Sequence, residues 1–411
     1  MKLFAAGIFV FFSLVVNAQS PSLKQSVYRA TIFRPDSNQI IFNFQPKKEN
    51  GKTVLYVIND TERLRVTDTK QKGDSLFFNM PFFESSFFTK IHKDGSLTGK
   101  WIKGTSRDPQ VFEVKAIPNQ AFRFQAAQGK ATNNIAGKWA VTLVNPKTNK
   151  VSKAVAVFKQ VDGKLSGSFL TPSGDDRFLQ GIVTGDSLHL STFDGSHAYY
   201  YRAKIENSTS ISGEYISGYA GFQKWTAVKD DNVSLPEQDE PTSLRAGETG
   251  LNFAFKDLDD KLVSIKDARF KNKVLIVQIL GSWCPNCMDE TKFLSEYYQK
   301  NRNRGVEIIG LAYEYSTDVE RSKKTLRKFQ QRFNVEYPIL ITGAITSDEQ
   351  RTEKTLPQLT PIRSFPTTIF IDKRGNVRKI HPVFYGPGTG EYYEEFLKDF
   401  NGTVNELLEE K

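Results

Sequence analysis

The chain has 411 residues, more than one ordinary domain needs and suited to two or three. With 39% hydrophobic and 25% charged residues it has the composition of a folded soluble protein, which excludes a chiefly disordered chain. The net charge of +10 would suit an anionic partner, but Lys and Arg are scattered, and no nucleic-acid motif accompanies them, so nucleic acid is not expected as a partner.

The chain opens with Met1-Lys2, an apolar stretch from Leu3 to Val16, and Asn17-Ala18-Gln19. This is the pattern of a signal peptide over residues 1–18, cleaved after Ala18, because the apolar part is too short to span a bilayer comfortably. No later stretch is apolar enough to span one either. The mature protein is expected to be soluble and exported, periplasmic or facing the outside of the cell.

From about residue 20 to 229 the sequence reads as β structure. Short runs such as Val54-Leu55-Tyr56-Val57-Ile58 and Ala154-Val155-Ala156-Val157-Phe158 end at Asn59-Asp60 and Asp162-Gly163 turns. An internal repeat is visible. Gly73-Asp74-Ser75-Leu76 recurs as Gly185-Asp186-Ser187-Leu188, and Ser96-Leu97-Thr98-Gly99-Lys100-Trp101 as Ser210-Ile211-Ser212-Gly213-Glu214-Tyr215. The offsets, about 112 and 114 residues, predict a duplicated all-β unit: repeat 1 over 19–120 and repeat 2 over 134–229. Gly-Asp-Ser-Leu is also an esterase nucleophile tetrapeptide, but two copies leading into strands read as turns.

Residues 230–249 are polar and apolar-poor. They read as a linker and as the first place a protease should cut. Beyond them, over 250–411, strands and helices alternate. Val274 to Leu280 is a near-continuous apolar run, as in a strand buried on both sheet faces. A helix follows over Asp289 to Arg302, then a strand over Val306 to Leu311. Asp318 to Phe333 is amphipathic, and its basic segment Arg321 to Lys328 reads as a solvated face. Strands at Tyr337–Ile341 and Thr367–Asp372, another at Lys379–Val383 and a last helix within Glu391–Leu408 complete an α/β domain. The polar stretch Gly343–Thr360 looks like an insertion, either a cover for the site or a tolerated loop.

The chain has only two cysteines, Cys284 and Cys287. So close a pair cannot staple a fold, and His92, His189, His197 and His381 offer no H-x₃₋₅-H partner for zinc. Redox chemistry remains; neither a metal nor a cofactor is expected. Gly281-Ser282-Trp283-Cys284-Pro285-Asn286-Cys287 lies where the buried strand meets a helix. A helix N-terminus stabilises a thiolate, which makes Cys284 the exposed nucleophile and Cys287, one turn on, the thiol that resolves a mixed disulfide.

Trp283-Cys284-Pro285-Asn286-Cys287, Glu290 and Ser364-Phe365-Pro366-Thr367-Thr368, with the entry segment Gly250 to Asp259, resemble the TlpA/ResA-like thiol–disulfide oxidoreductases of the thioredoxin superfamily. The likeness covers about residues 246–405 and implies a thioredoxin-like fold. It also implies that Pro366 is a cis-proline whose preceding backbone, at Phe365, pairs with substrate beside Trp283. Glu290 matches an acid placed near the resolving cysteine; it either accepts the proton of Cys287 or merely complements the helix dipole. Thioredoxin carries a buried Asp where this chain has Gln278, so any proton duty would fall to Glu290. A peroxiredoxin would need Thr-x-x-Cys, whereas Trp283 precedes Cys284 and the C-x-x-C motif is intact.

The uncharged Pro285-Asn286 pair leans towards a reductase. The expected partners are disulfide-containing exported proteins and an electron donor such as a membrane thiol–disulfide transporter. The alternatives are an oxidase or isomerase, or a client- or glycan-binding protein in which the β region does the main work.

Overall fold

The computed structural model describes residues 21–104, 109–126, 133–235 and 237–410. The expected signal peptide lies outside the described residues. Among them, no helix is long and apolar enough to cross a membrane.

The N-terminal half is all β, in two barrel-like sheets. The first holds β1 (Tyr28–Phe33), β2 (Gln39–Glu49), β3 (Lys52–Asn59), β4 (Glu62–Val66), β5 (Asp68–Lys72), β6 (Ser75–Asn79), β7 (Ser85–Ile91), β8 (Leu97–Lys103) and β9 (Gln110–Pro118). Its order is β4-β3-β2-β1-β9-β8-β7-β6-β5, so the first strand pairs with the last and β4 and β5 form the two free ends. A hydrogen bond from the Thr69 hydroxyl to the Thr53 carbonyl ties β5 to β3 across that gap.

The second sheet holds β10 (Gly137–Val144), β11 (Val151–Val161), β12 (Lys164–Thr171), β13 (Gly174–Asp175), β14 (Leu179–Thr184), β15 (Ser187–Phe193), β16 (Ala198–Asn207), β17 (Ser210–Ser217) and β18 (Gly221–Lys229). Here β10 pairs with β11 and β18, and β12 with both β11 and β14, which closes the barrel with β13 as a short appendage. Both Gly-Asp-Ser-Leu segments turn into corresponding strands, β6 and β15. The recurring glycines sit in the corresponding strands β8 and β17. At each, a Cβ would run into a carbonyl oxygen of the neighbouring strand, Phe88 for Gly99 and Arg202 for Gly213. The repeated motif is therefore a record of close strand approach, which only glycine permits.

Alternation of buried and exposed positions fills each barrel. In β9, Phe112, Val114 and Ala116 point inward, and Phe112 stacks on Trp101 at 4.5 Å. In the second barrel Phe169 stacks on Tyr201 at 3.9 Å and meets Trp225 edge-on. The two barrels are joined by buried guanidinium groups. Arg123 donates to the Ser191 carbonyl (2.6 Å) and to Asn43 (3.2 Å), and Arg34 to the Ser217 carbonyl (2.6 Å).

The C-terminal part is a thioredoxin-like α/β domain. Its strands β19 (Ala254–Asp257), β20 (Leu262–Ser264), β21 (Val274–Leu280), β22 (Val306–Ala312), β23 (Ile339–Ile341), β24 (Thr367–Ile371) and β25 (Val377–His381) form one sheet in the order β20-β19-β23-β22-β21-β24-β25. Helices α1 (Pro285–Asn301), α2 (Val319–Phe333) and α4 (Glu391–Glu409) accompany the sheet, together with the short α3 (Arg351–Thr355). Every residue of β21 is buried, as its apolar run requires.

Four details differ from the sequence reading. Helix α1 starts at Pro285 rather than Asp289, because Cys284 acts as its N-cap and proline is favoured in the first turn. The stretch Gly343–Thr360 is no loose loop: Leu356 and Leu359 are buried, and Thr355 meets the Tyr313 hydroxyl at 2.7 Å. The basic face of α2 is largely paired within the chain, Arg321 with Glu84 of the first barrel, Lys323 with Asp260 (2.7 Å), and Arg327 with Asp259. Finally, the linker has apolar anchors after all. Val233 and Leu235 pack with Val155, Leu170, Tyr385 and Tyr392, and Leu244 forms a β-bridge with Leu359. A segment tied down in this way is a poor first target for a protease.

The close approach at the repeated glycines makes a prediction. Gly99→Ala and Gly213→Ala should each lower stability by about 1–3 kcal/mol, since the strand pair must spread to admit a methyl group. Urea unfolding measures this, and losses under about 0.5 kcal/mol at both positions would contradict the packing argument.

Candidate active site

The site begins with the junction of β21 and α1. The buried strand delivers the chain to Gly281-Ser282-Trp283, and Cys284 then caps the helix, its Sγ accepting the Cys287 backbone N–H at 3.2 Å. The Cys284 thiol also donates to the Phe365 carbonyl at 3.3 Å. The Phe365–Pro366 peptide bond is cis. Trp283 is fixed beside the sulfur by donating to the Tyr313 carbonyl (2.8 Å), with Tyr315 and Phe365 against its ring at 4.7 and 5.3 Å. The structure thus brings together the expected Trp283, Cys284, Cys287, Phe365 and Pro366. The stretch Gly343–Thr360 supports this group from behind, with the Arg351 guanidinium over the Phe365 ring at 5.9 Å.

Below the cysteines lies a buried polar chain. Thr291 donates to Gln278 (3.0 Å), Gln278 donates to Glu290 Oε2 (2.8 Å), and Thr368 donates to Glu290 Oε1 (2.7 Å). Gln278 therefore serves Glu290 as a hydrogen-bond donor. Burial pushes the Glu290 carboxyl up to about 7, against the pull of its two donors. The Cys287 thiol is pushed well above its ordinary range by burial, then by the adjoining Cys284, with a smaller push from the negative charge of Glu290. Cys287 is thus held as a thiol, and Glu290 titrates near neutrality within electrostatic reach of it.

One expectation is overturned: Cys284 is only 3% exposed. The cause is the second barrel, which stands over the C-x-x-C motif. Asn286, between the cysteines, donates to Asp175 Oδ2 (2.9 Å) and to the Asp175 carbonyl (3.3 Å). Gly174 approaches so closely that a Cβ would lie 2.6 Å from Asn286 Oδ1. Asp175 also accepts the Gly386 N–H at 2.7 Å. Beside it Arg177 donates to both oxygens of Asp289 on α1 (2.7 and 2.8 Å) and to Glu62 of the first barrel (2.7 Å). These contacts leave a cavity of about 360 Å³ over Cys284, walled by Trp283 and Phe365 on one side and by Asp176, Asp194, His197 and Tyr199 on the other.

Sequence reasoning singled out none of the second-barrel residues. The available signal was Asp175-Asp176-Arg177, three charges in a β-rich stretch whose burial would require partners, but nothing local said that those partners lie more than a hundred residues away.

Residues 245–393 match the Redoxin family. The chain is 29% identical over 155 residues to the thiol–disulfide oxidoreductase ResA of Bacillus thuringiensis subsp. konkukian, covering 38% of this chain and 78% of that one. It is 30% identical over 141 residues to ResA of Geobacillus thermodenitrificans, covering 34% of this chain and 71% of that one. A solved thiol:disulfide interchange protein of the thioredoxin family from Chlorobium tepidum is 21% identical, covers 42% of this chain and 99% of its own, and has a TM-score of 0.30.

Two predictions follow from burial. Arg177→Ala strips two buried carboxylates of their shared partner and should destabilise the protein by about 3–5 kcal/mol in denaturant unfolding; a loss below about 1 kcal/mol would show that the network carries little. For Glu290, the carboxyl is protonated in the folded chain over a range where the unfolded chain ionises it. That contribution is complete below the ordinary value of 4.5 and is lost as pH rises through about 7. At about 1.4 kcal/mol per pKa unit it amounts to roughly 3 kcal/mol. Glu290→Gln should therefore shrink the stability difference between pH 5 and pH 8 of the reduced protein by about 2–3 kcal/mol, and an unchanged difference would mean Glu290 ionises normally.

Proposed function

The chain belongs, through its C-terminal part, to the ResA-type thiol–disulfide oxidoreductases of the thioredoxin superfamily, and from that premise we propose that it acts outside the cytoplasm as a disulfide reductase. The observation that carries the reading is the Cys284–Cys287 pair at the start of α1, with the buried Glu290 beside its second member. Cys284 is the attacking sulfur. Its Sγ accepts the Cys287 N–H at the first turn of the helix, which places it where an attacking sulfur is needed. Attack on a substrate disulfide gives a mixed disulfide at Cys284, and Cys287 then releases the second thiol by attacking Cys284 Sγ.

Cys287 needs a base, because burial holds it as a thiol. Glu290 is that base in this reading, since a carboxyl at about 7 can take a proton at working pH and return it. Trp283, Phe365 and Pro366 form the surface on which the substrate sulfur arrives. The reducing direction is favoured by the neutral Pro285-Asn286 pair: Asn286 is engaged with Asp175 and puts no cation between the sulfurs. The basic, apolar and small-residue pattern of residues 1–18 supports export, and the electrons would come from a dithiol donor such as a membrane thiol–disulfide transporter.

The test is direct. With a dithiol supplied, the full chain should reduce disulfides, Cys284→Ala should abolish turnover, and Cys287→Ala should accumulate a mixed disulfide at Cys284. The reduction potential should lie nearer about −270 mV than the about −120 mV of a strong oxidant. Equal turnover by wild type and Cys284→Ala would end the oxidoreductase assignment of this motif, and a potential above about −150 mV would reverse the direction.

A further inference from the structure

We infer that the second barrel builds the substrate pocket of this enzyme, and that the pocket takes a low-molecular-weight zwitterionic disulfide of amino-acid or short-peptide type. The inference rests on the reductase reading of Cys284 and adds to it the class of molecule reduced.

Three observations carry it. The first is access. Cys284 is almost wholly buried, and the space over it is about 360 Å³, at the small end of the roughly 300–1,000 Å³ range of small-molecule sites. The second is that the roof is fastened down. Asp175 holds Asn286 and Gly386, Arg177 holds Asp289, and Gln238 donates to the Pro172 carbonyl (2.7 Å) and to Ser364 (3.0 Å), next to the Phe365 loop. A folded protein meeting this surface would be stopped at the rim, whereas a molecule of a few residues fits beneath it.

The third is the chemistry of the wall. Asp176 accepts from the Tyr201 hydroxyl at 2.5 Å through Oδ2, and its other oxygen takes no hydrogen bond from the described residues. His197 is held through Nδ1 by Asp194 at 3.0 Å, which leaves Nε2 without a partner among the described residues. Burial works against ionisation of Asp194, but the adjoining His197 and the Arg177 charge pull its carboxyl down to about 2, so it stays ionised behind the imidazole. Arg363 stands at the same cavity. An acid and a base thus line one small space next to a reactive sulfur. An amino-acid disulfide carries an ammonium and a carboxylate a few bonds from its own sulfurs, and it matches that arrangement where a neutral disulfide does not.

The reaction balances without any further reactant than a dithiol donor. The Cys284 thiolate attacks RS–SR, the Cys284–S–S–R bond forms, and RS⁻ leaves and takes a proton. Cys287, deprotonated, attacks Cys284 Sγ and expels the second RS⁻. Two electrons and two protons pass from the dithiol to give two RSH, and the donor dithiol then reduces the Cys284–Cys287 disulfide.

The experiment uses the full chain, reduced beforehand and freed of donor, mixed in single turnover with cystine, hydroxyethyl disulfide or insulin. Loss of the two thiols is followed by alkylation and mass measurement. Cystine should oxidise the pair at least tenfold faster, per mole, than insulin or the neutral disulfide. In the conservative variants His197→Gln and Asp176→Asn, the ratio of the cystine rate to the hydroxyethyl disulfide rate should fall at least fivefold; being a ratio, it is insensitive to a general loss of active protein. Insulin matching or exceeding cystine, or a ratio unchanged in both variants, would overturn the inference and leave the reductase reading standing. Failure of all three disulfides to oxidise the pair would remove both.

Discussion

Arg177 is buried in the second barrel at a positive φ of 55°, and a guanidinium in that position is tolerable only if carboxylates come to it. The two that do are Asp289, from the first turns of α1, and Glu62, from the start of β4 in the first barrel. One side chain thus closes a contact among all three parts of the molecule. Removing the charges from water costs several kcal/mol per ion, so the arrangement persists only with each hydrogen bond made. Arg177 is held well above its ordinary range by Asp289 and Glu62 despite burial, while burial leaves the Glu62 carboxyl raised. The network therefore acts more as a geometric constraint than as a source of stability: it penalises other dockings of the three parts more than it rewards this one.

That constraint decides what the cysteines face. Here Asp289 ties the helix to Arg177, and the segment carrying Arg177 brings Gly174 and Asp175 onto Asn286. The strand order of the second barrel then presents Asp194, His197 and Tyr199 across the remaining gap. The first barrel contributes from the other flank, where Phe82 stacks on Phe333 at 5.5 Å and Phe83 meets the His197 ring edge-on at 5.4 Å. The β region is accordingly part of the site's wall.

What the sequence made legible was whatever depends on local periodicity or on a short motif. The buried strand β21, helix α2, the cysteine motif at a helix start and the cis-proline all have signals within a few residues. The duplicated barrels were readable through Gly-Asp-Ser-Leu and the glycines of β8 and β17, because repetition turns a steric requirement into a pattern. The exposed Cys284 was the main error, and its cause is long-range: Asp175 and Asn286 are 111 residues apart in the chain, and neither carries a local mark of the other. The linker misled for a related reason. Its composition is polar, yet Val233, Leu235 and Leu244 are enough to hold it once surfaces from distant segments are in place.

The same distribution of signals separates the sulfurs, in sequence, from the groups that face them across the cavity. Cys284, Cys287, Glu290 and Pro366 all belong to the α/β domain. The carboxylates and the imidazole that face the sulfur belong to another. In the proposed reading the reaction therefore belongs to the α/β domain, and admission to the sulfur to the second barrel that covers it. Such a division also limits how the two can change. A substitution at Asp176 or His197 changes the cavity wall without touching a hydrogen bond of the Glu290–Gln278–Thr291 chain. A change at Arg177 alters the docking itself, and with it both the cover over Cys284 and the setting of α1.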